Sequence, residues 1–262
     1  MVVLLVVSLL PRVAHAQQTN GPSWAFDSWG GEVAIAAISA ATGATSLAIP
    51  QARRTRAPDD PHPDNDTASL ASHITAFAGP LTLGAGMYFL EWRLRLEDVR
   101  APHAWAFVPF LIEAEAIALS GGITEILKRA VGRCRPRSWN ATTETCDDDG
   151  TSSSDDNFAA FPSGHTAFAS TLAGVRLVLA ARSTGTTLTA LRWINYGVTE
   201  GLAIATGGLR VNAGAHSVTD VLAGWALGHA AGIGVALMHP MKTSPYGHVA
   251  VGPGSVSWSG AF

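Results

Sequence analysis

Charge is the scarcest feature of this 262-residue chain: only 14% of its residues are Asp, Glu, Lys or Arg, and the net charge is −3. An average soluble domain is about 25% charged. The chain has no basic run and no interleaving of basic and aromatic residues, which excludes an electrostatic basis for nucleic-acid binding. Its mean hydropathy of +0.21 is high for a soluble protein and low for a polytopic membrane protein.

Cysteine is almost as scarce, since only Cys134 and Cys146 are present. No CxxC or HxxxH pattern accompanies them, which disfavours a zinc site. In an exported protein a nearby pair predicts a disulfide, and closing so short a loop stabilises by roughly 3 kcal/mol in the chain-entropy model. The Asp cluster near residue 150 leaves calcium as a minor alternative, because its spacing differs from an EF-hand. We predict no metal and no cofactor.

The N-terminus contains a short apolar run, MVVLLVVSLLPRVAHAQQ. Nine apolar residues are too few to span a membrane, and Ala14-His15-Ala16 matches a small-x-small cleavage site. We therefore predict a signal peptide over residues 1–16, although no Lys or Arg precedes the apolar run. A short membrane anchor is the alternative.

Six long apolar segments with helical character follow, and none of them shows the alternation of apolar and polar residues that is typical of strands. The segments lie near residues 31–49, 69–95, 103–130, 164–182, 188–207 and 216–239. The sequence predicts an all-α bundle of about six helices, forming one domain over residues 17–262. The Gly- and Ser-rich tail, 241–262, is compatible with a short strand or an ordered coil. Polar segments at Gln51–Thr67 and Ser138–Ala160 are interpreted as surface loops.

Three polar stretches interrupt the apolar second half, and the cations among them suit a phosphate ligand. Arg135 and Arg210 offer the fork geometry that binds phosphate oxygens, and Lys128 adds a point charge. Ser163 and Gly164 stand where the fourth segment begins, and a helix N-terminus supplies N–H groups and a positive dipole end. Alone, each stretch is typical of a solvent-facing helix end.

Histidine and Asp complete the set. His216 and Asp220 are four residues apart, so on one helix the carboxylate could orient the imidazole. His216 would then attack phosphorus, and His165 would donate a proton to the leaving group. Arg129 and Arg133, in the first stretch, are interpreted as part of a basic helix end that faces solvent or pairs with the C-terminal helix dipole.

The order and spacing of these residues resemble the type 2 phosphatidic acid phosphatase (PAP2) superfamily, which includes bacterial class A acid phosphatases and vanadium haloperoxidases. The family pattern K-x6-RP fits residues 128–136, PSGH fits 162–165, and SR-x5-H-x3-D fits 209–220, except that Leu209 replaces Ser. The match covers roughly residues 70–240.

The resemblance implies an all-α phosphatase acting on phosphomonoesters, lipid phosphates or pyrophosphates. It implies that His216 is the nucleophile, oriented by Asp220, and that His165 is the acid and base. The phosphate would be held by Lys128, Arg135, Ser163, Gly164 and Arg210. A vanadium haloperoxidase and a non-catalytic phospholigand-binding protein are the alternatives.

The location follows from an argument on topology. Cleavage of a signal peptide leaves the mature N-terminus outside the cell. If the first three segments then all span the membrane, residues 128–136 and the Cys pair lie in the reducing cytoplasm. A cleaved signal, an oxidised Cys pair and six membrane spans are therefore hard to combine. Charges at Glu113, Glu115, Arg176 and Glu200 also make spanning costly. We therefore expect a soluble or peripherally attached periplasmic protein, with an integral-membrane lipid phosphatase as the alternative. The substrate and the oligomeric state do not follow from the sequence.

Overall fold

The computed structural model of the chain describes residues 29–53, 64–95, 102–147, 154–183, 186–239, 248–252 and 255–259. The predicted signal peptide, residues 1–16, lies outside the described residues. The polar segments at 51–67 and 138–160 are described in part.

Six long helical segments make up most of the described chain and confirm the predicted all-α bundle. One of them, residues 66–95, is continuous through a π-helical turn, Ile74–Ala78. The helices are α1 Trp29–Ala48, α2 Asp66–His73, α3 Gly79–Arg95, α4 Pro102–Val131, the short α5 Ser154–Asn157, α6 Gly164–Ala181, α7 Thr186–Asn212 and α8 Val218–Met238. Two small antiparallel pairs are also present, β1 Trp139–Asn140 with β2 Thr145–Cys146, and β3 His248–Gly252 with β4 Ser255–Ser259. The described part of the tail is therefore a strand pair.

Helix α6 is the centre of the bundle, with 13 of its 18 residues buried. Apart from His165 and Arg176, its residues are apolar or small on all sides, as expected of a helix surrounded by others. Helix α8 approaches it closely through three glycines, where an added Cβ would collide with backbone carbonyl oxygens in or just before α6. The glycines are Gly224, Gly228 and Gly232, and they face the carbonyls of Ser163, Ala167 and Thr171. This close packing fixes the beginning of α8 against the beginning of α6.

Two glycines in the left-handed conformation end the helices that lead into the predicted site. Gly132 (φ +58°) follows α4, and Gly214 (φ +62°) follows α7. Such a residue commonly ends a helix, because it turns the chain and satisfies carbonyl groups of the last turn. After Gly214 the N–H groups of Ala215 and His216 both point to the carbonyl oxygen of Arg210, at 3.2 and 3.3 Å. The turn therefore brings Arg210 and His216 together.

The charged residues inside the apolar segments face partners within the bundle. Arg176 Nε lies 2.8 Å from Glu113 Oε1, and both side chains are buried. Glu115 and Glu200 pair with histidine side chains of α8 and its C-terminal end. Each of these four charged residues is thus paired inside the bundle, which lowers the cost of placing it in a membrane.

Two helical stretches, Phe107–Val131 and Val218–Met238, are long and apolar enough to cross a membrane by length and composition. Core helices of soluble proteins can meet the same criteria.

Candidate active site

The three predicted stretches meet at one end of the bundle, around the first turn of α6. The Ser163 N–H donates to the Asp220 carbonyl oxygen at 2.9 Å, which links the second stretch to the third. Arg135 Nη1 donates to the Ala215 carbonyl oxygen at 3.2 Å, which links the first to the third. Residues 80 positions apart in sequence therefore share one site.

His216 is buried, and its ring is held in one tautomer. Nδ1 lies 2.7 Å from the Ala160 carbonyl oxygen, which can only accept, so Nδ1 carries the proton. Nε2 is then the unprotonated nitrogen, and it lies 3.5 Å from Arg135 Nη1. Burial, reinforced by the charges of Arg135 and Arg210, lowers the pKa of His216 well below its usual value. A neutral imidazole with a lone pair facing a guanidinium suits attack on an anion bound there.

Asp220 lies too far from His216 for the direct hydrogen bond expected from the sequence. Its Oδ2 is 4.0 Å from Nδ1, and that nitrogen already donates to Ala160. The physical reason is local: His216 precedes α8, so the two side chains do not share a helix face. Asp220 Oδ2 instead accepts the Ser217 N–H at 2.8 Å, and Oδ1 pairs with Arg133 Nη1 at 2.9 Å. Asp220 holds the backbone beside His216.

Arg133 is the second difference from the sequence analysis, which interpreted it as part of a basic helix end. Its side chain is 9% exposed and donates to Thr219 Oγ1 at 2.8 Å as well as to Asp220. A buried carboxylate requires such a partner, because an isolated buried charge is strongly unfavourable. The partner is 87 residues away in sequence, so helical spacing gave no sign of it.

Arg135 is fixed by the partly described acidic loop. Its Nη2 lies 2.6 Å from Asp156 Oδ1, and its Nε donates to the Asp156 carbonyl oxygen at 2.8 Å. Burial lowers the pKa of Arg135, and Asp156 opposes that shift. Burial also acts against ionisation of Asp156, but Arg135 and Arg137 more than offset it and lower the pKa of the carboxyl. Nothing in the loop sequence distinguishes Asp156 from the neighbouring acidic residues, so its role could not be predicted from the sequence.

Arg210 is a buried cation without a carboxylate partner among the described residues. It lies in the last turn of α7, is 5% exposed, and donates from Nη1 to Ser72 Oγ at 3.4 Å. Nε has no hydrogen-bond partner in the described part of the chain. A buried guanidinium in this state costs free energy unless an anion occupies the site.

Lys128, Ser163 and Gly164 lie beside the first turn of α6. Lys128 Nζ pairs with Glu125 at 2.8 Å, and it would be 3.3 Å from a Cβ added at Gly164. Ser163 precedes the helix without capping it through its side chain, and its Oγ lies 3.0 Å from Thr166 Oγ1. The first N–H groups of α6 are therefore left to an external acceptor.

His165, in the first turn of α6, bonds to a second histidine. Its Nε2 lies 2.9 Å from Nδ1 of His73, at the end of α2. His73 stood outside every stretch that the sequence analysis selected. Leu209, which replaces the family Ser, packs half-buried against Ala68, Ala213 and Ala215.

Cys134 and Cys146 form a disulfide bond, with Cα atoms 5.9 Å apart. The bond is buried with Phe158 and is packed by Trp139. It ties the acidic loop to the segment before Arg135, where the Arg133 carbonyl oxygen accepts the Ala160 N–H at 3.1 Å, and thereby supports the residue whose carbonyl holds His216.

Comparison with known proteins gives a family match. The family model described as PAP2 superfamily matches residues 109–244, which is more than half of the chain and includes all three stretches. No curated protein and no solved structure gives a significant match to the chain. The chain belongs to the PAP2 superfamily.

Proposed function

We propose that the protein is a phosphatase that hydrolyses phosphomonoesters or lipid phosphates through a phosphohistidine formed on His216. The observation that carries this proposal is the buried guanidinium of Arg210, which has no carboxylate partner among the described residues and belongs to the residue whose carbonyl oxygen accepts the His216 N–H at 3.3 Å. A phosphate dianion would neutralise Arg210 and Arg135 together, and the first N–H groups of α6 would bind its remaining oxygens.

The reaction proceeds in two displacements. His216 Nε2 attacks phosphorus, the P–O bond to the leaving group breaks, and His165 donates a proton to the departing oxygen. Water then attacks the phosphohistidine, His165 takes a proton from that water, and phosphate leaves. The negative charge that develops on the equatorial oxygens faces Lys128, Arg135 and Arg210, which supplies the electrostatic stabilisation.

The test uses the full chain purified in detergent, with phosphate release from 4-nitrophenyl phosphate and from phosphatidic acid in mixed micelles. We expect hydrolysis of at least one of these, and His216→Asn should lower kcat by at least about 10⁴-fold, as loss of a covalent nucleophile does in other enzymes. His229→Asn is the matched control, since His229 pairs with Glu200 and lies outside the site. Wild-type turnover retained by His216→Asn would overturn the assignment.

The polarity of the bundle supports a membrane location for this reaction. Every exposed residue of α7 from 190 to 208 is apolar or glycine, including Trp193, Ile194, Val198 and Ile204. Soluble proteins rarely leave such a continuous apolar face in water. Helix α1 points the same way: its exposed Ile38 and Leu47 contrast with buried Ser39 and Ser46.

We therefore favour the integral-membrane alternative, in which lipid surrounds these faces. Gln51 Nε2 donates to the Lys128 carbonyl oxygen at 3.2 Å, so α1 ends at the same end of the bundle as the site, and begins at the other end. If α1 spans the membrane and the site and disulfide lie outside the cell, α1 must begin on the inner side. A cleaved signal peptide would leave the mature N-terminus outside, so a spanning α1 and a cleaved signal peptide are alternatives. Alkaline carbonate should leave the protein in the membrane pellet; release by carbonate or salt would contradict embedding.

A further inference from the structure

His73 lies next to the general acid without belonging to any of the three stretches. It ends α2, its side chain is exposed, and its Nδ1 is 2.9 Å from His165 Nε2. The two rings meet edge to face with centroids 4.5 Å apart, and Phe77 contacts both. One face of this pair is therefore in the site and the other is in solvent.

Helix α2 is held in a position that makes this contact specific. The Asn65 side chain caps its first turn and also bonds to Asn212 at the end of α7, at 2.7 Å. Beyond His73 the π-helical turn is fixed to α7 by a hydrogen bond of 2.8 Å from Thr206 Oγ1 to Thr75 Oγ1. Such π-helical turns often accompany functional sites. The same helix brings Ser72 to Arg210 and His73 to His165.

We infer that His73 is a proton-relay and positioning residue for His165. This inference rests on the proposed phosphatase reaction. Because His165 Nε2 is bonded to His73, the other ring nitrogen, Nδ1, is the one that serves the leaving group. In the relay, His73 Nδ1 donates to His165 Nε2, so the proton of His165 lies on Nδ1.

The proton balance closes through both rings. As the P–O bond breaks, the His165 Nδ1 proton passes to the leaving oxygen, His165 Nε2 takes the Nδ1 proton of His73, and His73 Nε2 takes a proton from solvent water. In the second half the transfers reverse: the proton of the attacking water enters at His165 Nδ1 and one leaves from His73 Nε2. Both rings are neutral before and after each half.

The surrounding charges favour this route over a doubly protonated His165. Burial disfavours positive charge on His165 most, and Arg210 from α7, Lys128 from α4 and Arg135 from the following loop also repel it; among the described residues His73 is the other titratable neighbour. A relay that supplies the proton as it is used avoids placing a fourth cation in the site. Exposure of His73 provides the exchange with water.

The test compares leaving groups in a His73→Phe variant, which keeps an aromatic ring against Phe77 but cannot bond to His165. Phenoxide, released from phenyl phosphate, is a poor leaving group that needs a proton, whereas 4-nitrophenoxide, released from 4-nitrophenyl phosphate, needs it much less. Because general acid catalysis contributes roughly 10²–10⁴-fold, we expect kcat/KM, which reports the steps up to departure of the leaving group, to fall about 10–100-fold for phenyl phosphate and less than about threefold for 4-nitrophenyl phosphate. His229→Phe should change neither.

Inorganic phosphate, as a competitive inhibitor, reports whether the site is intact. We expect its Ki in His73→Phe to equal that of the wild type. Equal losses for both substrates, no loss for phenyl phosphate, or a weakened Ki would each overturn the relay. If instead wild type releases no phosphate, or His216→Asn stays active, the proposed function itself has failed, and the two failures are thus distinguishable.

Discussion

Replacing Asp220 with Asn and Arg133 with Gln tests how the carboxylate acts on the nucleophile. If Asp220 oriented the His216 ring directly, Asp220→Asn would lower kcat by about 10⁴-fold, as in a serine-protease triad that loses its tautomer control. The ring is instead held by the Ala160 carbonyl, at 2.7 Å against 4.0 Å for the carboxylate. We therefore expect the two variants to resemble each other.

The magnitude follows from the contacts. Both variants break a buried ion pair with a 2.9 Å separation, in which the carboxylate is fully buried. Removing one partner of such a pair costs about 3–5 kcal/mol, and an amide that keeps one hydrogen bond should give a loss near the lower end, about 3 kcal/mol. For a chain of this size that lowers Tm by roughly 6–12 °C. Looser placement of the Ser217 backbone should lower kcat about 10–100-fold in both variants.

The assay is thermal unfolding followed by tryptophan fluorescence in detergent, together with kcat for 4-nitrophenyl phosphate below each variant's Tm. A fall of about 10⁴-fold in Asp220→Asn alone, with Arg133→Gln close to wild type, would refute indirect positioning. Similar losses of Tm and kcat in both would support it.

Three further predictions follow from packing, charge and protonation. Gly228→Ala should lower the free energy of unfolding by about 1–3 kcal/mol, because the added Cβ meets the Ala167 carbonyl oxygen. Gly234→Ala, where the added Cβ meets open space, should be neutral or slightly stabilising, and equal Tm values for the two variants would contradict the close contact. Arg210→Met should raise the Ki for phosphate about 10–100-fold, and it should raise Tm because it removes a buried cation that has no carboxylate partner among the described residues. An unchanged Ki would exclude contact between Arg210 and phosphate. Because the pKa of folded His216 is lowered, the unfolded chain binds the extra proton below pH ~6.5, so stability should fall with acidification by up to about 1.4 kcal/mol per pH unit. His216→Asn should lose that part of the slope, and an identical slope in denaturant titrations at several pH values would show that His216 is not the source.

Sequence pattern predicted the bundle because each helix is a long apolar segment bounded by polar residues. It predicted that Lys128, Arg135, Arg210 and His216 act together because their spacing follows a family pattern, and the structure brings their stretches to one end of the bundle. The exact end of a helix was harder to predict. Helix α7 continues to Asn212, and α8 begins only at Val218, which moves Arg210 into a helix and His216 out of one.

The remaining residues of the site are supplied by tertiary contacts that have no local signature. Arg133 looks like part of a basic helix end until its partner, Asp220, is known. Asp156 is one acid among several in its loop, and His73 belongs to a helix whose own sequence does not mark it. The outward face of α1 was also hidden, because an almost wholly apolar helix does not reveal which side meets the core.

The most direct test of the central claim is to trap the covalent intermediate. The wild-type protein is mixed with radiolabelled phosphomonoester, quenched in base, in which phosphohistidine survives, and digested for peptide mapping. The account predicts label on the peptide that contains His216, at no more than one phosphate per chain, and none in His216→Asn. Label on a different residue, or steady turnover in the wild type with no trapped label at any quench time, would contradict a His216 nucleophile.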